Sequence, residues 1–140
     1  MISEANYKEN AEKTFIELEE YTRNKVPHLK PNYEELSFIY EQDDLVLGRI
    51  VGKIHWDHLQ IELFSVHSNS RGKGVGSKLL HHIETIAQEK GLSYVSLETM
   101  SFNAPKFYEK NGYKVFGKIE NSPYQGSTRY FFKKTLPNKE

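Results

Sequence analysis

The chain has 140 residues, 19 Lys plus Arg balanced by 19 Asp plus Glu, and no cysteine. The length suits one domain, residues 1–140, with a core of its own. The zero charge balance argues against a broad nucleic-acid footprint. The lack of cysteine removes disulfides, thiolate metal sites and a cysteine nucleophile. The first ten residues are polar, with no secretory signal, and no apolar run approaches the ~20 residues of a bilayer span. The expectation is a soluble, cytoplasmic protein with no membrane and no nucleic-acid partner.

Taken in order, the chain opens on a helix over about residues 3–25, where Tyr7, Ala11, Phe15, Leu18 and Thr22 recur at helical spacing; Pro27 and Pro31 end it. Residues 36–42, 45–56 and 59–66 read as three strands of an antiparallel meander. Asp43-Asp44 and Asp57 mark the turns. Gly48 and Gly52 in the second strand predict a bulge or a close backbone approach. The third strand is largely apolar and hence central; strict alternation groups Glu62, Phe64 and Val66 on one face.

A polar stretch, 67–76, leads into a helix over about 75–90, whose apolar stripe is Val75, Leu79, Ile83, Ile86 and Ala87 and whose stop is Gly91. Residues 93–99 form the next strand. Strand, glycine turn, helix and strand make a βαβ unit with parallel strands. A short helix, 104–111, follows, with Asn103 as its cap, Pro105 in its first turn and Gly112 closing it. Residues 113–119 and 128–134 form a last hairpin, and the tail from Pro137 to Glu140 reads as frayed.

The chemistry concentrates in Arg71-Gly72-Lys73-Gly74-Val75-Gly76-Ser77. Glycines at alternate positions leave amides unobstructed, free to converge on an anion. The helix start adds unpaired N–H groups and partial positive charge. Arg71 and Lys73 add full charges, with Lys78 and His81 a turn further on. The combination suits a pyrophosphate. Ser77 stands where a dinucleotide fingerprint requires glycine, and no glycine precedes a Gly-Lys-Ser/Thr run at P-loop spacing.

With these residues in view, the chain resembles the GNAT N-acetyltransferase superfamily over about residues 35–136. Arg71, Gly74 and Gly76 meet the family's acyl-CoA motif Q/R-x-x-G-x-G/A. The run from Asn103 through Ala104, Pro105, Phe107, Tyr108, Lys110 and Gly112 to Tyr113 is similar to its second signature. The two motifs in order, with one strand between them, are far more specific than either alone. The family usually begins with a strand, and this chain with a helix.

The resemblance implies an α/β (α+β) fold: a central mixed, largely antiparallel sheet with splayed central strands, flanked by helices. It implies acetyl-CoA as cosubstrate, held by backbone groups of Phe64 and Val66, by amides from Gly72 through Lys73, Gly74, Val75 and Gly76 to Ser77 beside Arg71, and by Asn103. Tyr108 falls at the position of the acid that protonates the leaving thiolate, though Phe107 and Tyr108 are also ordinary packing residues for a short helix. Glu62 lies near the family's acidic base; a solvated or salt-bridged glutamate is an equal reading, and Glu98 and His58 compete for the role.

The implied reaction is direct acetyl transfer to a primary amine in a ternary complex. The acceptor is a small molecule or a protein amine, and a homodimer is compatible with the family. A non-catalytic acyl-CoA sensor is the alternative. His81 and His82, adjacent on a helix, point about 100° apart, and His55-x-x-His58 brackets a turn without a supporting carboxylate cluster, so no metal is expected. Trp56, Tyr124, Tyr130, Phe131 and Phe132 are candidates for an acceptor pocket, for core or for a subunit interface, and the loop 120–127 for a cover over the acceptor.

Overall fold

The computed structural model describes residues 1–137; the part of the expected frayed tail beyond Pro137 lies outside the described residues. The chain divides into two compact units, Met1–Asn32 and Tyr33–Glu140. The first holds helix α1 (Tyr7–Lys25), entered through Asn6, whose side-chain oxygen accepts from the Glu9 amide at 3.0 Å. That bond satisfies one of the orphan donors of the first turn. No residue of α1 is buried.

The second unit runs β1 (Tyr33–Gln42), β2 (Leu45–His55), β3 (His58–Val66), a single 3₁₀ turn (Ser68–Ser70), α2 (Val75–Glu89), β4 (Tyr94–Met100), α3 (Pro105–Lys110), β5 (Lys114–Glu120) and β6 (Thr128–Thr135). The strands form one sheet in the order β1-β2-β3-β4-β6-β5. The β3–β4 pair is parallel and the other pairs are antiparallel. This is the mixed, largely antiparallel α+β sheet expected from the sequence, with β3 inside it. Asp43 and Asp44 both take positive φ (53° and 63°), the backbone of a two-residue hairpin turn whose twist matches the flanking strands.

Both glycines of β2 have a steric reason. A Cβ on Gly48 would lie 2.8 Å from Leu79 Cδ1 and 2.9 Å from Val75 Cγ1, so α2 crosses β2 where Gly48 leaves room for it. A Cβ on Gly52 would lie 2.7 Å from the Gln60 carbonyl oxygen, at a bulge in the β2–β3 ladder.

That bulge corrects the strict alternation expected of β3. Gly52 pairs with Ile61 and Val51 with Leu63, so Glu62 is the extra residue and the side-chain phase reverses across it. Leu59 and Ile61 sit opposite Ile54 and Gly52, while Phe64 and Val66 sit opposite Ile50 and Gly48, all toward α2. Leu63 is left 73% exposed on the far face. Glu62 therefore does not share a face with Phe64 and Val66; it pairs with Lys53 (3.4 Å), whose cross-strand partner is Gln60.

Helix α2 buries Val75, Leu79, Leu80, Ile83 and Ala87, and the core they join includes Leu36, Ile50, Ile54, Leu59 and Val95. Each such side chain contributes roughly 1.5–3 kcal/mol by burial. A charged residue shares that face. Glu84 is buried, accepting from the Tyr113 hydroxyl at 2.7 Å and from Lys134 Nζ at 2.8 Å. Burial and the adjacent carboxylate raise the Tyr113 hydroxyl far above its ordinary range, so it remains the donor. The network joins α2, the α3–β5 turn and β6. Glu84→Ala would leave the Tyr113 hydroxyl buried without an acceptor, while Lys134 can turn to solvent. The expected loss is about 2–3 kcal/mol, against about 1 kcal/mol for Tyr113→Phe, both read from urea unfolding.

Candidate active site

Strands β3 and β4 run side by side for only three pairs, His58–Tyr94, Leu59–Val95 and Gln60–Ser96. Beyond them β3 continues to Val66 on the β2 ladder and β4 to Met100 on the β6 ladder, so the two part. The edge of β3 from residue 61 to 66 is thus open toward β4. The His67 amide donates to the Leu47 carbonyl on β2 at 2.8 Å. Because successive amides of an extended strand point to opposite edges, those of Val66 and Phe64 point into the gap.

The gap opens into a cavity of about 630 Å³, within the size range of small-molecule sites. One wall is Phe64, Ser65 and Val66; the next is the glycine turn; the far wall is the β4–α3 connection with Phe107 and Tyr108. Of the residues expected to hold the cofactor, Phe64, Val66, Arg71, Gly72, Gly74, Val75, Gly76, Ser77 and Asn103 all border this one cavity, and so does Tyr108. Lys73 and Glu62 do not.

The turn is built to present donors. Gly72 and Gly74 both take left-handed φ, 81° and 80°, and nothing lies within 4 Å of where their Cβ atoms would be. Gly74 is the N-cap of α2 and offers no side-chain cap. Among the described residues, no backbone carbonyl accepts from the amides of Gly72, Gly74, Val75, Gly76 or Ser77. The Lys73 amide instead turns inward to the Ser70 carbonyl at 3.3 Å, leaving that residue to act through its ammonium. Donors left over at a helix N-terminus, beside a left-handed turn, are the physical form of an anion cradle.

Tyr108 is held by aromatic contacts on several sides. Its ring lies 5.8–6.4 Å between centroids from Phe64, Tyr113 and Phe132, and 5.2 Å from Phe107. Burial alone raises its hydroxyl above the ordinary value of 10.0, so the neutral donor form is favoured. Phe107 reaches past it to the first turn of α2: a Cβ on Gly76 would meet Phe107 Cζ and Val66 Cγ2, each at 3.3 Å.

The expected cap of α3 needs correction. Ala104, in left-handed conformation, is the N-cap, without a side-chain hydrogen bond. The backbone of Asn103 is fixed instead: its amide donates to the Met100 carbonyl at 2.9 Å and its carbonyl accepts from the Thr99 hydroxyl at 3.1 Å. Its side chain is therefore not engaged as a helix cap, and the residue borders the cavity.

The remaining candidates separate. His58 stacks on Tyr94 (4.8 Å) in the last stretch where β3 and β4 are still paired, at the opposite end of β3 from Val66, roughly 25 Å away by strand rise. Trp56 stacks on His55 in the β2–β3 turn, Phe132 is core, and Phe131 packs on Phe116. His82 packs edge-on against Phe38. Two residues of consequence escaped the sequence reading. Phe102 borders the cavity, and its only sequence signal is an aromatic ring next to Asn103. Glu84 gave none beyond an acidic residue on an apolar stripe.

Residues 3–113 match the acetyltransferase (GNAT) family. The chain belongs to that family. Blasticidin-S acetyltransferase of Streptomyces morookaense is 36% identical over 90 residues, covering 64% of this chain and 65% of that protein, so the chain spans just under two thirds of that relative's length. The crystal structure of an acetyltransferase from Bacillus cereus superposes with a TM-score of 0.85 at 33% identity over 97% of both chains. A Bacillus anthracis structure solved in complex with acetyl coenzyme A superposes with a TM-score of 0.66 at 27% identity, covering 77% of this chain and 65% of that one. The features here suit that molecule: an open strand edge for its amide-bearing arm, and amides without backbone partners for its pyrophosphate.

Gly76→Val should force Phe107 and Val66 apart and crowd the neck of the cavity. Coenzyme A affinity, measured by calorimetry, is expected to fall at least about 10-fold while the far-ultraviolet circular dichroism stays as in the unaltered protein.

Proposed function

We propose that the chain is an acetyl-CoA-dependent N-acetyltransferase that moves the acetyl group directly to a primary amine of a small molecule, within a ternary complex. The single observation that carries this reading is the open edge of β3, leading from the last β3–β4 pair to the glycine turn with Tyr108 beside it. A relative named for acetylating blasticidin S supports a small-molecule amine as acceptor. The absence of cysteine from the chain favours direct transfer over a cysteinyl intermediate.

In this reading the amides of Gly72, Gly74, Val75, Gly76 and Ser77, with the charges of Arg71 and Lys73, hold the pyrophosphate, and Asn103 closes the other side. Phe64 and Val66 hold the arm through their backbone groups. Acetyl-CoA, when bound, supplies a thioester as acyl donor. The Val66 amide donates to the oxygen of the reacting carbonyl as charge develops there. Glu62 accepts the proton that the amine sheds as the C–N bond forms, and Tyr108 Oη delivers a proton to sulfur as the C–S bond breaks. The Glu62 carboxylate lies at the point where β3 leaves β4, paired with the half-exposed Lys53.

Tyr108→Phe keeps the packing and removes the proton. It should lower kcat roughly 100-fold and leave KM for acetyl-CoA within about twofold, read by thiol release with a panel of amines. Wild-type turnover in that variant would remove Tyr108 from the acid role. Tight coenzyme A binding with no transfer to any amine would favour the non-catalytic sensor. Because burial raises the Tyr108 hydroxyl above 10.0, its acid form persists through neutral and mildly alkaline pH. The rate should therefore hold as pH rises to about 10, and a fall centred near pH 8 would assign the proton to another group. Glu62→Gln should lower the rate at pH 7 and recover it at high pH, where the amine arrives neutral.

A further inference from the structure

One aromatic ring on the border of the cavity and a second stacked on it have no part in the acetyl-transfer reading. Phe102, in the β4–α3 connection, borders the cavity. Tyr124, in the β5–β6 loop, stacks on it with ring centroids 5.9 Å apart and planes at 20°. Each is 58% exposed. Their outward surfaces are apolar and open to solvent, at the border of the cavity that Tyr108 also lines.

The face is held in place. The two loops are joined by reciprocal bonds, the Ser101 amide to the Thr128 carbonyl at 2.8 Å and the Thr128 amide to the Ser101 hydroxyl at 3.0 Å. The Tyr124 loop is braced from within by Ser127, whose buried hydroxyl donates to the Tyr124 carbonyl at 2.6 Å and accepts from the Tyr124 amide at 3.1 Å. Asn121 Oδ1 accepts from the Gly126 amide at 3.0 Å. Outside the loop, Arg129 donates to Glu98 and, through Nε, to the Ser122 hydroxyl at 3.4 Å. Rings fixed in advance lose little freedom when they are covered, which makes them efficient binding surfaces.

Phe102 adjoins Asn103 on the border of the cofactor cavity, whereas Tyr124 and its loop lie outside the cavity lining. The pyrophosphate cradle follows β3, whereas the rings spring from the end of β4 and from the β5–β6 loop, on the opposite bank of the gap. We propose that the acceptor carries a planar aromatic or heteroaromatic ring, which stacks on the Phe102–Tyr124 face while its amine reaches toward Tyr108. This inference rests on the acetyl-transfer reading above for the role of the amine, but the stacking can be measured apart from transfer.

The experiment uses the full chain loaded with coenzyme A. Phenethylamine and tyramine are compared with n-butylamine and spermidine, by calorimetry for binding and by thiol release from acetyl-CoA for turnover. The arylalkylamines should bind about 10-fold more tightly than the aliphatic amines. Tyr124→Ala should erase that margin, Tyr124→Phe should keep it, and neither should move the affinity for coenzyme A. Aryl preference with loss in Tyr124→Ala but no acetyl transfer would uphold the platform and overturn the transfer reading. Equal binding of all the amines, or a margin that survives Tyr124→Ala, would overturn the platform. So would a fall in coenzyme A affinity in Tyr124→Ala, which would assign the rings to the cofactor.

Discussion

The separation of β3 from β4 after Gln60 and Ser96 is the constraint on which the other features turn. A sheet interior does not ordinarily leave a strand edge open, because each unpaired N–H and C=O loses a partner. Here the edge faces a cavity, where solvent or a ligand can satisfy it. What keeps the strands apart is an aromatic wedge. Phe107 and Tyr108 sit against Phe64 on the β3 side and against Phe132 and Tyr113 on the other. Closing the gap would require that wedge to be expelled, with the burial of two large rings lost. The same short helix that holds the strands apart also carries the candidate acid, so shape and chemistry share one cause.

Helix α2 ties the wedge to the anion cradle. Its first turn has no side chain at Gly74 or Gly76, one because the backbone is left-handed and the other because Phe107 and Val66 stand where a Cβ would go. Three turns further on, Glu84 holds Tyr113, whose amide donates to the Tyr108 carbonyl at 3.0 Å. A buried carboxylate is rarely the most stable filling for a core position. Its value here is directional, since one oxygen fixes the exit of α3 and the other fixes β6. With the formal charge of the whole chain at zero, attraction for an anion is a local property of the glycine turn and of Arg71 and Lys73.

Much of this was legible in the sequence, and the reasons differ by feature. The strands and helices follow from periodicity and from turn residues such as Asp43-Asp44, Gly91 and Gly112, which are local signals. The glycine turn was legible because its chemistry is carried by backbone, and glycine reports on backbone directly. Gly52 signalled an irregularity, but the position of the bulge on the partner strand depends on the β2–β3 register, which period-2 counting along β3 cannot supply. Asn103 carried a misleading signal: asparagine before Pro105 reads as a cap, yet Ala104 adopts the left-handed conformation and takes that place. Glu84, Phe102 and Tyr124 acquire their meaning only from partners distant along the chain.

The bulge also bears on which carboxylate can serve as base. Extending the parallel register past Gln60–Ser96 brings Glu62 level with Glu98, both on the face away from α2, at the point where the strands part. They are not equivalent. Glu98 is held by the Arg129 guanidinium, a planar donor that also binds Ser122, so the side chain is fixed toward β6 and the β5–β6 loop. Glu62 is held at 3.4 Å by Lys53, a single ammonium on a flexible stem, with both side chains well exposed. An exposed pair of this kind contributes about 0–1 kcal/mol, so an arriving cationic amine can displace Lys53 at little cost. The bulge that removes Glu62 from the face of Phe64 and Val66 thus frees it from the packed side of the sheet. It leaves the carboxylate exposed to solvent on the face of the sheet away from α2.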